Sequence, residues 1–171
     1  MNEENEPRPG KWRRYRRRPP EDRRLILRAA LILPLTEIGL RLFGFRRWKQ
    51  LIERFSPAIP QRRLLEPAIE DEMAERITCA ARSAERHGPL TPNCLERSLT
   101  LWWMLRRDGI EGNLHIGARK NESRFEAHAW VELRGVVLND SADVHKHYAR
   151  FDAPIAAAEA GSDAAGEAAS R

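Results

Sequence analysis

The sequence contains little cysteine and lacks a long uninterrupted apolar run. Two cysteines, Cys79 and Cys94, among 171 residues are too few for a disulfide framework, and we find no secretory signal. The longest apolar stretch, residues 25–45, contains three charged residues and a proline. Each charge near a bilayer centre costs about 2.5–3.5 kcal/mol. We therefore expect a cytoplasmic protein without membrane contact, in which a thiol stays reduced and available for chemistry.

Positive charge is concentrated at one end of the chain. The formal net charge is +5, yet residues 1–24 hold nine Arg and Lys against five Asp and Glu, so the remainder carries only +1. Low hydrophobicity and four prolines predict that residues 1–24 form a disordered basic tail. Trp12 and Tyr15 lie among these arginines, a pattern that also fits contact with RNA. Because no folded basic face is predicted, we expect no nucleic acid partner.

The remaining chain predicts one α+β domain, residues 25–152, followed by a second tail. In its helical part, residues 25–88, large apolar residues recur every three or four positions and indicate one face of a helix: Leu31, Leu35, Ile38, Leu42 and Phe45. Pro34 is expected to kink this helix or to start a second one. A further helix is predicted from about Pro67 to Glu85. Residues 153–171 contain mainly Ala, Gly, Glu and Ser and predict disorder.

In the catalytic part, residues 89–152, the sequence changes from a helical to a strand-like pattern. Residues 94–107 predict an amphipathic helix that Asp108 and Gly109 close. Strand-like runs follow at 113–119, 125–133 and 136–139, with a short fourth run at 148–151. We expect N-terminal helices, and then a cysteine-bearing helix packed on a small antiparallel sheet.

Cys94 stands at the predicted start of this helix. A helix N-terminus presents unpaired N–H groups and about half a positive charge, which favour a thiolate and can hold an oxyanion. Cysteine is otherwise often a small buried apolar residue, and we interpret Cys79 in that way. Cys94 is therefore a candidate nucleophile that needs support from a base.

His128 and Asp140 gain meaning from their spacing. A three-residue hairpin loop, residues 133–135, would pair them across two antiparallel strands on one face, with Cβ atoms about 4.5–5.5 Å apart. A carboxylate there can bind one imidazole nitrogen and leave the other for a thiol. A two-residue loop would instead move Asp140 to the opposite face. We predict a triad of Cys94, His128 and Asp140 on the basis of the three-residue loop.

Four ordered segments carry a resemblance to a known family. They are CLERSLTLWWMLRRDGI at 94–110, LHIGARK at 114–120, FEAHAWV at 125–131 and VLND at 137–140. Together they resemble the lasso-peptide biosynthesis B protein, a leader peptidase of the transglutaminase-like superfamily. The match is dense over residues 90–141 and loose over the helical part.

The resemblance implies a transglutaminase-like, papain-like cysteine peptidase that removes the leader peptide from a ribosomally made lasso-peptide precursor. It implies Cys94, His128 and Asp140 as the triad. It also implies three partners: the precursor (leader) peptide, a separate leader-recognition protein and the macrolactam-forming cyclase. The family occurs in fused and split forms, and the helical sequence before Cys94 predicts the split form without the recognition domain.

Three alternatives remain open at this point. The chain could transfer an acyl group to an amine, as true transglutaminases do, or it could be a non-catalytic scaffold that docks the precursor or the cyclase. A basic RNA-binding protein is the third. His145 and His147 match no standard zinc spacing, so we predict neither a metal nor a cofactor.

Overall fold

The computed structural model describes residues 18–56, 66–121 and 124–151. Most of the predicted basic tail and the whole of the predicted tail at 153–171 lie outside these residues. The described chain consists of helices in its first half and mainly antiparallel strands in its second. The predicted α+β class is confirmed.

The first helix, α1 (Pro20–Phe55), begins earlier than predicted. Pro20 lies in its first turn, where a missing N–H costs nothing, and Glu21 and Asp22 lie near the positive end of the helix. Both acidic side chains also bind Arg76, with Asp22 Oδ1 2.8 Å from Nη2. Residues 20–24, predicted within the basic tail, are therefore helical, and the folded part starts ahead of the predicted boundary.

The kink in α1 falls at Gly44, and not at Pro34 as predicted. Gly44 adopts φ 72° and ψ 168°, a backbone conformation that other residues rarely reach. Beyond it the chain turns back, and the Trp48 ring packs on Gly39, where a Cβ atom would lie only 2.2 Å from a ring carbon. Glycine at position 39 therefore permits the close contact that fixes the two halves of α1 together.

The apolar stripe that predicted α1 is exposed. Leu31, Leu35, Ile38 and Leu42 are between 46% and 71% exposed. The buried face of the first half of α1 uses other residues: Ala29, Ile32, Leu33, Thr36 and Gly39. The periodicity identified the helix but not the face that is buried. Despite this stripe, no helix in the described residues is apolar over a length that could cross a membrane.

Two further helices, α2 (Pro67–His87) and α3 (Cys94–Arg107), complete the helical layer. The bounds of α3 are those predicted from the sequence. Large side chains of all three helices meet in one core: Ile32, Trp48, Ile77, Leu99, Met104 and Leu105. An ion pair of 2.8 Å between Arg28 and Asp108 joins α1 to the end of α3. α1 and α2 thus hold α3 in place, and the first turn of α3 lies at the edge of the helical layer.

A four-stranded antiparallel sheet packs against α3. The strands and a short connecting helix are β1 (Asn113–Asn121), β2 (Arg124–Leu133), β3 (Val136–Val137), α4 (Val144–His147) and β4 (Ala149–Arg150), in the spatial order β3-β2-β1-β4. Alternate residues of β2 point to opposite faces, so Val131 and Leu133 join the helical core while His128 and Trp130 lie on the other face. Because β3 is two residues shorter than predicted, β2 has an open edge beside Ala129.

Neighbouring positions on α1 provide a test of which face is buried. Ile32→Ala should lower the free energy of unfolding by about 2–4 kcal/mol, because it empties a core position that is 5% exposed. Leu31→Ala, at a site that is 65% exposed, should change it by less than about 0.5 kcal/mol. Equilibrium unfolding in urea measures both. Equal losses in the two variants would contradict the assigned face.

Candidate active site

The first turn of α3 is built around a capping box. The Asn93 side chain accepts a hydrogen bond from the Glu96 N–H at 3.0 Å, and the Glu96 carboxylate accepts one from the Asn93 N–H at 2.9 Å. This reciprocal cap fixes where the helix begins, so Cys94 is its first residue. The first-turn N–H groups of Cys94 and Leu95 have no intrahelical partner and are not used by the cap. A half-buried thiol therefore lies next to two available backbone donors.

His128 and Asp140 form a direct hydrogen bond. Nε2 of His128 lies 2.5 Å from Oδ2 of Asp140, and because a carboxylate only accepts, Nε2 carries the proton. Oδ1 of Asp140 accepts the N–H of Ser141 at 2.7 Å, which fixes the other side of the carboxylate. In this tautomer Nδ1 of His128 is unprotonated and can accept a proton. The pair has the form of a base held by its orienting group.

The hairpin that brings this pair together differs from the prediction. Leu133 pairs with Val136, so the loop has two residues, Arg134 and Gly135, with φ of 49° and 83°. Two consecutive positive φ angles identify a type I′ turn, which suits the twist of a two-residue hairpin. The three-residue loop was therefore wrong. A regular ladder in this register would have put Asp140 opposite Ala129 on the wrong face.

Asp140 reaches His128 because the chain leaves the ladder after β3. Leu138 still donates its N–H to the Val131 carbonyl at 2.9 Å, but its own carbonyl binds Arg82 Nη2 at 2.8 Å. The N–H of Val131 instead binds the side-chain oxygen of Asn139 at 2.8 Å. The Asn139 side chain thus replaces the backbone partner of Val131. The chain then turns, and Asp140 reaches the face of the sheet that carries His128.

Asn139 also ties this loop to α3. Its Nδ2 donates to Ser98 Oγ at 2.8 Å, and Ser98 Oγ donates to the Ala129 carbonyl at 2.8 Å. Ser98 is fully buried, and it meets β2 at the open edge that the short β3 leaves. One chain of hydrogen bonds therefore joins the helix, the strand and the loop that carries Asp140. Neither Ser98 nor Asn139 was predicted as a site residue, since neither residue type is distinctive in isolation.

The contacts of Ser98 orient α3 relative to β2. Ser98 follows Cys94 by one helical turn and lies on the same side of α3. Further along α3, Leu105 borders Gly112 beside Val131, so helix and strand run in the same direction. Within the described residues, however, the Cys94 thiol makes no hydrogen bond, so the structure joins His128 to Asp140 but does not join Cys94 to His128.

Aromatic side chains fix the plane of the imidazole. Tyr148 stacks on His128 with ring centroids 4.7 Å apart. Trp130 also stacks on His128, with ring centroids 6.4 Å apart. Tyr148 is held in turn by its hydroxyl, which donates to Glu126 at 3.2 Å, and by the Arg119 guanidinium over its ring. The prediction that Trp130 shares a face with His128 agrees with this stacking. Tyr148 was not predicted as a site residue, because no spacing rule connects it to His128.

The charge of Asp140 is set by opposing effects. Burial acts to raise the pKa of Asp140, but hydrogen bonds from His128 and from the Ser141 N–H, with the nearby charges of His128 and Arg97, lower the pKa below its usual value. Asp140 is therefore a carboxylate at neutral pH.

Other candidate residues stay away from the pair. His145 and His147 lie exposed on α4, and His115 stacks on Trp130 at 5.7 Å. No group of three His, Cys, Asp or Glu side chains in the described residues is arranged to hold a metal ion. Cys79 is exposed on α2, so the interpretation of this residue as a buried apolar one was wrong, and it is not bonded to another cysteine.

A helix that begins at a half-buried cysteine and packs on an antiparallel sheet with a histidine–aspartate pair is typical of cysteine-peptidase-like α+β folds. Comparison with family models agrees, since a model described as the transglutaminase-like superfamily matches residues 38–152. The chain belongs to the transglutaminase-like superfamily. No curated protein and no solved structure matches it.

The hydrogen-bond chain through Ser98 can be tested by a matched pair of substitutions. Ser98→Ala should lower the free energy of unfolding by about 1–3 kcal/mol, because it leaves buried partners on Asn139 and Ala129 unsatisfied. Ser56→Ala removes a buried hydroxyl that has no hydrogen-bond partner in the described residues, and should be neutral or stabilising. Urea unfolding measures both, and equal effects would show that the network adds nothing.

The lowered pKa of Asp140 predicts a pH-dependent contribution to stability. Because the folded-state pKa lies below the unfolded value of about 3.9, the carboxylate contributes stability above the unfolded value, and this is lost as pH falls through the folded one. The difference in unfolding free energy between wild type and Asp140→Asn should be constant above about pH 5 and shrink below about pH 4. A difference that stays constant down to about pH 2 would contradict this assignment.

Proposed function

We propose that this protein is a cysteine peptidase that removes the leader peptide from a ribosomally synthesised lasso-peptide precursor. The observation that carries the proposal is the hydrogen bond of 2.5 Å between His128 and Asp140, on a sheet against which the helix that begins at Cys94 packs. The superfamily supports a cysteine-peptidase type of chemistry. The substrate class rests on the resemblance of residues 94–140 to the lasso-peptide B proteins.

In the proposed reaction, Nδ1 of His128 takes the proton of the Cys94 thiol, and the sulfur attacks the peptide carbonyl. The resulting oxyanion is held by the backbone N–H groups of Cys94 and Leu95. Collapse of the tetrahedral intermediate breaks the C–N bond, and the imidazolium of His128 protonates the leaving amine. A water molecule, deprotonated by His128, then hydrolyses the thioester and regenerates the thiol. Asp140 keeps Nε2 protonated and the ring oriented throughout.

The thiol and the imidazole need to approach each other for this reaction. In enzymes without substrate, catalytic hydrogen bonds are often long and tighten only when the complex forms. The half-buried position of Cys94 leaves room for such an adjustment, whereas His128 is already fixed by Asp140 and Tyr148. We therefore propose that binding of the precursor brings Cys94 onto Nδ1 of His128.

The proposed partners follow from the resemblance. They are the precursor peptide, a separate protein that recognises its leader, and the cyclase that closes the macrolactam after cleavage. A partner that holds the leader would supply positioning energy, since holding reactants in place lowers the entropic cost of reaction.

The second candidate function is acyl transfer from the same thioester to an amine, and the superfamily to which the chain belongs favours it as the alternative. The two functions share every step up to the thioester and differ in the group that attacks it. Product mass separates them, because hydrolysis adds water to the acyl fragment and transfer adds the amine. A non-catalytic scaffold would give neither product.

Cys94→Ala tests the proposed nucleophile. With a precursor and a recognition protein taken from neighbouring genes, mass spectrometry should show leader removal by wild type and a loss of about 10⁴-fold or more in the variant. Cys79→Ala is the matched control, since it removes the other free thiol from α2, and it should cleave at the wild-type rate. Cleavage by Cys94→Ala at near wild-type rate would end the peptidase proposal.

A further inference from the structure

A cavity of about 240 Å³ lies between α1, α2 and α3, beside the candidate active site but separate from it. Neither Cys94 nor His128 lines it. It reaches the site through two residues: Arg97, three positions after Cys94 on α3, and Asn139, next to Asp140. The cavity therefore reaches a residue that lies about one helical turn from the proposed nucleophile.

The lining carries an excess of positive charge. Three arginines, Arg82, Arg86 and Arg97, face one acidic residue, Glu85. Glu85 pairs with Arg97 at 2.9 Å. Arg82 donates to the neutral carbonyl of Leu138, and Arg86 has no ion pair in the described residues. Among the described residues, the exposed guanidinium groups of Arg82 and Arg86 therefore have no carboxylate partner.

A buried hydroxyl in the same lining also lacks a partner. Thr100 is 2% exposed, and its Oγ1 makes no hydrogen bond within the described residues. Buried hydroxyls almost always have a hydrogen-bond partner. The Thr100 side chain lines the cavity while its Oγ1 is shielded from solvent, so rotation of this side chain would turn Oγ1 toward a ligand bound there. Thr100 belongs to α3, whereas two of the three arginines reach the cavity from α2, so the unpaired hydroxyl is a separate observation.

These features select a small anion. Arginine binds carboxylates and phosphates through paired N–H groups, and a hydroxyl adds one more donor. The cavity is smaller than the 300–1,000 Å³ of pockets that enclose drug-sized ligands, so it fits a side chain better than a nucleotide.

We infer that this cavity is a specificity pocket for a carboxylate side chain, Asp or Glu, of the peptide that the protein cleaves. Arg82 and Arg86 bind the carboxylate, and Thr100 donates a hydrogen bond to it. The peptide backbone then passes the first turn of α3 on its way to Cys94. This assignment rests on the proposed peptidase function for the source of the carboxylate, and on the cavity alone for the binding of the anion.

The test is a binding titration of the full chain followed by amide NMR, with N-acetyl-L-glutamate N-methylamide as the probe. The glutamine analogue and inorganic phosphate are the comparison ligands. We expect the glutamate probe to shift resonances of Thr100 and its neighbours, and to bind about tenfold more tightly than the glutamine analogue. Equal binding of the two analogues, or binding of phosphate alone, would overturn the assignment.

Matched variants locate the binding site. Arg86→Gln should weaken binding of the glutamate probe about tenfold, whereas Arg107→Gln, an equal loss of charge at the far end of α3, should leave it unchanged. Thr100→Val should also weaken binding, while its melting temperature stays level or rises because an unsatisfied buried hydroxyl is removed. Equal effects of Arg86→Gln and Arg107→Gln would reduce the binding to general charge attraction and refute the pocket.

Failure of this inference can be told apart from failure of the proposed function. The titration breaks no bond, so a chain that cleaves no precursor can still bind the glutamate probe, and a cleaving chain can fail to bind it. In precursor cleavage, the pocket predicts that replacing the recognised Asp or Glu by its amide raises KM about tenfold in wild type. The same replacement should have little effect in Arg86→Gln, and an undiminished effect there would also refute the pocket.

Discussion

The structure depends on one buried hydroxyl, that of Ser98, which binds the Ala129 carbonyl and the Asn139 amide. These two bonds join a helix, a strand and a loop, and they pair the Ala129 carbonyl at the open edge of β2. Each buried polar group that loses its partner costs more than a hydrogen bond contributes on average. The arrangement is therefore stable only when all of its members are in place, and this requirement fixes α3 relative to the sheet.

The relative position of α3 and β2 matters because the candidate nucleophile and the candidate base belong to different elements. Cys94 is positioned by the capping box and by the packing of α3, and His128 by the pleat of β2 and the stack with Tyr148. Asp140 is positioned by neither, since its loop follows the sheet only as far as Leu138. At that point the Asn139 side chain replaces a backbone hydrogen bond of the ladder. Asn139 therefore holds the loop on the sheet, and the next residue, Asp140, orients His128.

Much of this could be read from the sequence, and the limits have physical causes. The bounds of α3 followed from the residues that begin and end it, Asn93 and Gly109. The contact of His128 with Asp140 was anticipated through a three-residue hairpin, yet it forms from a two-residue hairpin with a departure from the ladder. The departure from the ladder uses Asn139, which binds Val131 and Ser98, and Ser98 is distant in sequence from the hairpin. Similarly, the apolar stripe on α1 that contains Leu31 has helical spacing but is exposed. Spacing alone does not show which of two apolar faces of a helix packs against the rest of the protein.

The residues that would form the thioester do not decide between hydrolysis and acyl transfer. A transferase has to keep water away from the intermediate until the amine arrives. Around the candidate site the side chains of His128 and Asp140 remain 17% and 25% exposed, so the pair is not fully enclosed. This partial exposure supports the proposed hydrolysis over transfer. Transfer would need a further surface to cover His128, and a bound partner would be the natural source of that cover.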